Sequence, residues 1–438
     1  MNRNITRIVA IAATLAMGTS LAACGGSSAD SSKGHVYFMN NKAEVVDQYK
    51  ELASMYTKKT GVQVDIQTGA AGTYDATMKS ELAKDNAPTM FNVAGFDQFA
   101  KYQKYVEPLQ DTDVFKLLND TGKAYSYTID GNSYTLPYAA EWYGIIYNKK
   151  IIKDYKTLKQ VAESIEQHKD DLGVDGAFAT PGLDTSDTYR FAAHMTRLPL
   201  YYEYRDANTT FSKTIKGTYL KNYKDMFDLQ LKTSPTEASM VSSKTYDDVT
   251  SEFALGQVAF YPNGVWAYSQ IKGNDVADED LGMLPYYMGI KGEEDCGPVG
   301  VYDASWAVNK NASEKDKKAT LDFIKWMITD NEAKKILSKD MGFSVPFTTF
   351  TDDYQPDNPL TEAARAYSND GKTEVRSFTI PDQQWQDDIA SALVEYTQGT
   401  GKWDKVQSAF VDGWSTEWNN NEESLGSVPE AQKFDAKS

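Results

Sequence analysis

Apolar positions near the start of the chain switch between two periods. Residues 35–39 form a short apolar run that predicts a strand. Over 43–59, Val45, Val46, Tyr49, Leu52, Ala53 and Tyr56 recur at helical spacing, and Gly61 supplies a stop. Residues 62–66 alternate as a strand, Tyr74, Met78 and Leu82 mark another helix, and 89–93 predict a third strand. Alternation of strand and helix predicts an α/β layer whose strands share one direction. In such sheets ligands bind beyond the carboxyl ends of the strands. Further on, a hairpin is expected over 125–138 around Asp130-Gly131-Asn132. Residues 253–261 read as a helix end followed by a strand, and 299–309 as a strand. Residues 315–338 predict one amphipathic helix carrying Ala319, Phe323, Trp326, Met327 and Ile336. Between 150 and 290 helical periods mix with Gly and Pro breaks, and the tail from Asn419 is polar and expected to be loose.

The first residues follow a different logic. Residues 1–7 carry two arginines and no acid, and 8–21 are almost uninterrupted apolar and small residues. This is the layout of an export signal, and the run is shorter than the about 20 apolar residues a spanning helix needs. Leu21-Ala22-Ala23-Cys24 resembles the lipobox of bacterial lipoproteins. That resemblance implies a signal peptide over 1–23 and lipid on Cys24. The chain would then sit on the extracellular face of the cell membrane, held by acyl chains. Residues 24–34 are Gly/Ser-rich and read as a flexible tether. Cys296 is the only other cysteine, so an acylated Cys24 leaves no disulfide, and the 41% apolar content must supply the core. Loss of Arg3 and Arg7 would deepen the formal charge of −17 by two. Such acidity disfavours nucleic acid and polyanions as partners and leaves a neutral ligand open.

The sequence offers little for catalysis or metal binding. The histidines are His35, His168 and His194, none in an H-E-x-x-H spacing, and Cys296 has no histidine nearby in sequence. Gly371-Lys372-Thr373 has the ending of a phosphate loop, but Ala366 stands where that loop needs glycine. No cofactor or metal is expected. Tryptophan and tyrosine beside polar residues in loop-like contexts stand out instead: Glu141-Trp142, the stretch from Asp184 to Arg190, Asn263-Gly264-Val265-Trp266, Asp303-Ala304-Ser305-Trp306, and the stretch from Thr379 to Trp385 around Pro381. A flat ring covers the C–H face of a pyranose while a neighbouring carboxylate or amide bonds its hydroxyls. Trp142, Trp266 and Trp385 are therefore expected in a site, and Trp306, Trp326, Trp403, Trp414 and Trp418 in packing. The polar exits of the first and third strands add Asn41, Lys42 and Asp97, although Asn41 or Asp97 could equally cap a helix.

Three stretches carry a wider resemblance: Pro137-Tyr138-Ala139-Ala140-Glu141-Trp142-Tyr143-Gly144-Ile145-Ile146-Tyr147-Asn148-Lys149, then Ala259-Phe260-Tyr261-Pro262-Asn263-Gly264-Val265-Trp266, then the helix over 319–328 followed by Gly342-Phe343-Ser344-Val345-Pro346. Together they resemble the extracellular solute-binding lipoproteins of carbohydrate ABC importers. The resemblance implies a two-lobed, periplasmic-binding-protein-like (type II) α/β fold with a hinge between lobes, crossed near 142–148, 295–301 and 340–350. It implies a first lobe over 35–142 and 300–343, a second over 147–297 and 348–418, and a polar tail over 419–438. It implies that Glu141 bonds sugar hydroxyls and Trp266 stacks on a ring. It supports Asn41, Lys42 and Asp97, and more loosely Asp184, Tyr189, Asp303 and Trp385. The stretch from Thr180 to Arg190 and Leu198-Pro199-Leu200-Tyr201-Tyr202-Glu203 are similar to binders of raffinose-type and α-1,6-linked oligosaccharides. The implied function is that of a monomeric, lipid-anchored receptor delivering an oligosaccharide to a permease with no bond made or broken. An exported glycan-active hydrolase and a binder of peptides or other small solutes remain alternatives.

Overall fold

Two thirteen-residue strands, Leu136–Asn148 and Cys296–Val308, each run through two separate hydrophobic cores. The computed structural model describes residues 31–69, 73–129, 131–152, 157–425, 428–429 and 431–434. The export segment, Cys24 and the start of the tether lie outside the described residues.

Along the chain the strands are β1 (His35–Asn40), β2 (Gln63–Thr68), β3 (Met90–Ala94), β4 (Thr128–Ile129), β5 (Asn132–Ser133), β6 (Leu136–Asn148), β7 (Gly176–Phe178), β8 (Val258–Gly264), β9 (Leu281–Leu284), β10 (Cys296–Val308) and β11 (Thr373–Arg376). The main sheet runs β2-β1-β3-β10-β6-β8-β7, with β9 on β6 and β11 on β10. β1 pairs in parallel with β2 and β3, whereas β10 lies antiparallel to both β3 and β6. The expected hairpin is present as β4 and β5.

In the first lobe the sheet separates two apolar layers, because successive strand residues face opposite sides. Val36 and Phe38 join Tyr49, Leu52, Trp306 and Phe323, while Met39 joins Met78, Phe91, Val93 and Phe99. The helix Val46–Thr60 ends at Gly61, whose φ of 77° lets its N–H reach the Thr57 carbonyl. The single helix expected over 315–338 is broken. It stops at Thr329, Asp330 turns extended, and the Asp330 carboxylate caps Asn331–Lys335 through the amides of Glu332 and Ala333. A short acidic side chain competes better as a cap than within a helix.

The second lobe packs Tyr143, Ile145, Phe178, Phe191 and Phe260 on one face of its strands, and Ile146, Phe253, Val258 and Tyr261 on the other. On β6 the change of lobe falls between Ala139 and Tyr143, and on β10 between Val299 and Ala304. There β10 slips register against β6, between Val301 and Ala304, a bulge of the kind that bends a strand. A third segment bridges Ala140 to Ser344. Val345, Phe347 and Phe350 still pack in the first lobe, and Leu360 is in the second. The first lobe thus extends past residue 343, and 348–350 belong to it rather than to the second.

The tail expected to be loose from Asn419 begins inside the helix Trp403–Leu425. Beyond it, the amide of Thr210 donates to the Gln432 carbonyl at 3.0 Å, and Phe434 packs edge-on against Tyr201. The polar composition concealed that one aromatic anchor.

Candidate functional site

Between the lobes lies a cleft of about 660 Å³ that both halves line, within the usual size range of ligand sites. A groove of about 820 Å³ elsewhere, lined by Leu158, Met226 and Met288, belongs to the second lobe alone. The cleft is the candidate because strand ends and two separate walls converge there.

The first wall is built on the exit of β1. The fully buried Asn40 side chain folds the chain back on itself, donating to the Lys42 carbonyl at 2.7 Å and accepting from the Lys42 amide at 3.0 Å. Asn92 of β3 accepts from the Asn41 amide at 2.9 Å and donates to the Tyr138 hydroxyl at 3.1 Å. Asn41 and Lys42 are thereby held on the wall. Among the described residues, the short helix after them has no side-chain cap, and the Asn41 amide oxygen is buried without a partner. The Lys42 ammonium lies 2.8 Å from the Glu141 carboxylate and 3.6 Å from Glu44. Burial acts to lower the Lys42 pKa, but the charges of Glu141 and Glu44 outweigh it and the net shift is upward.

The second wall rests on a buried brace. Arg190 and Asp187, both without exposed surface, form an ion pair, and Arg190 also donates to the carbonyls of Thr180 and Pro262. This ties the stretch from Thr180 to Arg190 to the end of β8. Thr245 and Asp248 form a reciprocal capping box that starts the helix Tyr246–Ala254 at the cleft. Ser186 accepts from the Tyr246 amide at 3.1 Å and donates to Asp184 at 2.6 Å. The Ser186 hydroxyl and amide hold Asp184 below the usual carboxylate range.

Aromatic rings complete this wall. Tyr189 donates to Asn263 at 3.2 Å. The Trp266 indole lies across Gly264, where a Cβ would stand 2.2 Å from the ring, so only glycine fits. His194 stacks on Tyr143 at 4.2 Å and meets Tyr189 and Trp266 edge-on at 5.0 and 5.3 Å. Burial, then the charges of Arg197 and Arg190, push the His194 pKa well below its ordinary 6.5, so the ring is neutral at pH 7. Aromatic rings thus line one wall of the cleft, and an amide and a carboxylate–ammonium pair line the other.

The structure brings Asn41, Lys42, Glu141, Tyr189 and Trp266 together on the cleft. Asp97 falls on the helix Gly95–Tyr102, and Asp303 on β10 between the cleft-lining Val301 and Ala304. Three expected residues stand elsewhere. Asp184 is bonded by the amide and hydroxyl of the cleft-lining Ser186 and is not itself part of the lining. Trp142, adjacent to Glu141 on β6, is 7% exposed and donates to Glu374 at 2.6 Å, because neighbouring strand residues face opposite sides. Trp385 has no exposed surface, packs on Phe410 and Trp414, and donates to the Phe410 carbonyl. It is a core residue of the helix Gln383–Thr397. Ser186, His194, Arg197, Tyr246, Asp247 and Gln270 line the cleft unforeseen. The Thr245-x-x-Asp248 capping pattern could have placed Tyr246 and Asp247 at a helix start.

Residues 51–366 match the family model of bacterial extracellular solute-binding proteins. The chain is 27% identical over 220 residues to a maltotriose-binding protein of Pyrococcus abyssi, a match covering 49% of this chain and 44% of that protein's length. It is 22% identical over 371 residues to a multiple sugar-binding protein of Streptococcus mutans, covering 78% and 83% of the two chains. A solved chitin oligosaccharide binding protein superposes with a TM-score of 0.69 at 17% identity, over 89% of this chain and 99% of that one. The architecture is accordingly the two-lobed, type II fold of periplasmic binding proteins, hinged between the lobes.

Proposed function

The chain belongs to the family of bacterial extracellular solute-binding proteins, and on that premise we propose that it is an oligosaccharide receptor serving an ABC importer. The ligand enters the cleft, both lobes close on it, and the permease receives it unchanged. The observation that carries this reading is the pairing of walls: Trp266, Tyr189 and His194 present rings on one side, and Lys42 with Glu141 presents hydrogen-bonding charge on the other. Rings accept the apolar face of a pyranose and the polar pair its hydroxyls. Closure is selected because a ligand touching both walls binds the closed state better than the open one. The names of the relatives, which include maltotriose and multiple-sugar binders, favour the same class. Within it, the sequence resemblance favours a raffinose-type or α-1,6-linked gluco- or galacto-oligosaccharide. The protein would work as a monomer on the extracellular face of the membrane, anchored by lipid on Cys24.

Calorimetry against raffinose, isomaltotriose, maltotriose and a chitin trisaccharide tests the proposal, with chromatography of the recovered sugar. Saturable binding with the sugar recovered intact is expected. Cleavage that Glu141→Gln abolishes would identify an exported hydrolase, and failure to bind any sugar while a peptide raises the melting temperature would identify another solute class.

A further inference from the structure

Two cations stand on the cleft wall, and they are treated differently. Lys42 is held by two carboxylates. Among the described residues the Arg197 side chain makes no hydrogen bond and no ion pair, and its Nε is buried without a partner. With 62 acidic residues for 45 basic ones, carboxylates are not scarce in this chain. A buried charged donor left unpaired is costly, so its persistence on a ligand cleft points to a partner that arrives with the ligand. Arg197 begins the helix Arg197–Ala207, directly after the turn Arg190–Met195 that carries His194, and its charge depresses the His194 pKa. Its position is therefore fixed by the same turn that sets the aromatic wall.

The first lobe leaves the complementary group open: the Asn41 amide oxygen, also buried and without a partner, lines the same cleft. One lobe offers unpaired donors and the other an unpaired acceptor. The Nε–Nη edge of a guanidinium presents two parallel N–H groups, which match two oxygens side by side. A carboxylate and a pair of adjacent sugar hydroxyls both have that shape. Two features choose the hydroxyls. Glu44, Glu141 and Asp247 outnumber Lys42 and Arg197 on the walls, and His194 is neutral, so an anion would meet a net negative cleft. The Asn41 oxygen also needs a donor, which a hydroxyl has and a carboxylate lacks.

We propose that Arg197 is a specificity-determining residue that takes two adjacent hydroxyls of the oligosaccharide through its Nε–Nη edge, while Asn41 accepts from a further hydroxyl across the cleft. This assignment rests on the receptor reading above. It makes ligand-driven closure selective, since both open groups are satisfied only when one sugar touches both lobes.

The test uses the full chain, with raffinose, isomaltotriose, maltotriose, a chitin trisaccharide and trigalacturonate as probes. For the neutral sugars that the wild type binds, Arg197→Ala should weaken affinity on the order of ten- to a hundredfold, and Arg197→Lys should recover little of it. The unliganded melting temperature of both variants should stay at or above that of the wild type, because the free protein loses no bond. Arg197→Ala binding within twofold of the wild type, full recovery by lysine, a lowered unliganded melting temperature, or a preference for trigalacturonate would each overturn the assignment alone. A wild type that binds none of the sugars would overturn the receptor reading and this inference with it.

Discussion

The Lys42 ammonium and the Glu141 carboxylate, 2.8 Å apart and largely buried, join the loop after β1 to the strand that passes between the lobes. Removing one member strands the other away from water. Glu141→Gln should destabilise the fold by about 3 kcal/mol, the low end for breaking a buried pair from one side, since Glu44 at 3.6 Å still covers part of the charge. The double variant with Lys42→Met should recover much of the loss, and urea unfolding in a double-mutant cycle measures it.

Trp266 and Gly264 depend on each other in space. Trp266→Ala should cost tenfold or more in sugar affinity, as one stacked ring is worth about 0.5–1.5 kcal/mol beyond its buried area. Gly264→Ala should do similar damage without touching the ring's chemistry, because the added methyl occupies the indole's position. Calorimetry beside a circular dichroism spectrum separates lost binding from lost fold. Full affinity in both variants would place the sugar elsewhere.

Acid should find His194. Its folded pKa is depressed, whereas the unfolded chain takes up a proton near 6.5. Below that pH the unfolded state binds more protons, so stability falls as pH drops and is flat above. The melting temperature of His194→Gln should fall less than that of the wild type between about pH 6.5 and 5. Equal slopes would show that the ring is protonated in the folded protein.

Behind the crossing, Glu374 accepts from Trp142 at 2.6 Å and from the Tyr302 hydroxyl at 2.9 Å, and Tyr302 stacks on Tyr125 of the first lobe at 4.1 Å. Burial raises the Glu374 pKa against the pull of those two donors. Glu374→Ala leaves both unsatisfied and should cost about 1–3 kcal/mol, while Glu374→Gln keeps an acceptor and should cost less. Denaturant melts of the two variants check the order.

Much of this architecture was legible because the periods were clean. Val45 to Tyr56 mark one helix face, whereas the run from Pro137 to Lys149 pointed to a lobe crossing only through the family resemblance, and it forms one strand that serves both lobes. Asn41, Lys42, Glu141 and Trp266 met on the cleft because they lie where β1, β6 and β8 deliver them, and Tyr189 joined them from the start of the turn Arg190–Met195. Trp142 and Trp385 did not, since flanking breaks say nothing about which side of an element a ring takes. Both signals were present: Trp142 follows Glu141 on a strand, and Trp385, Ile389, Ala392 and Leu393 share one helical stripe. His194 was hidden because it lies in a π-turn too short to show a period, and Arg197 because it starts the helix that follows that turn.

The passage of β6 and β10 through both cores has a consequence for how such a protein can change. Exchanging one half for that of a cousin would require cutting both strands in the middle of the ladder they share, at the slipped register between Val301 and Ala304. The two halves therefore share one backbone framework, and substitutions on the facing surfaces alter what the cleft accepts without cutting that framework.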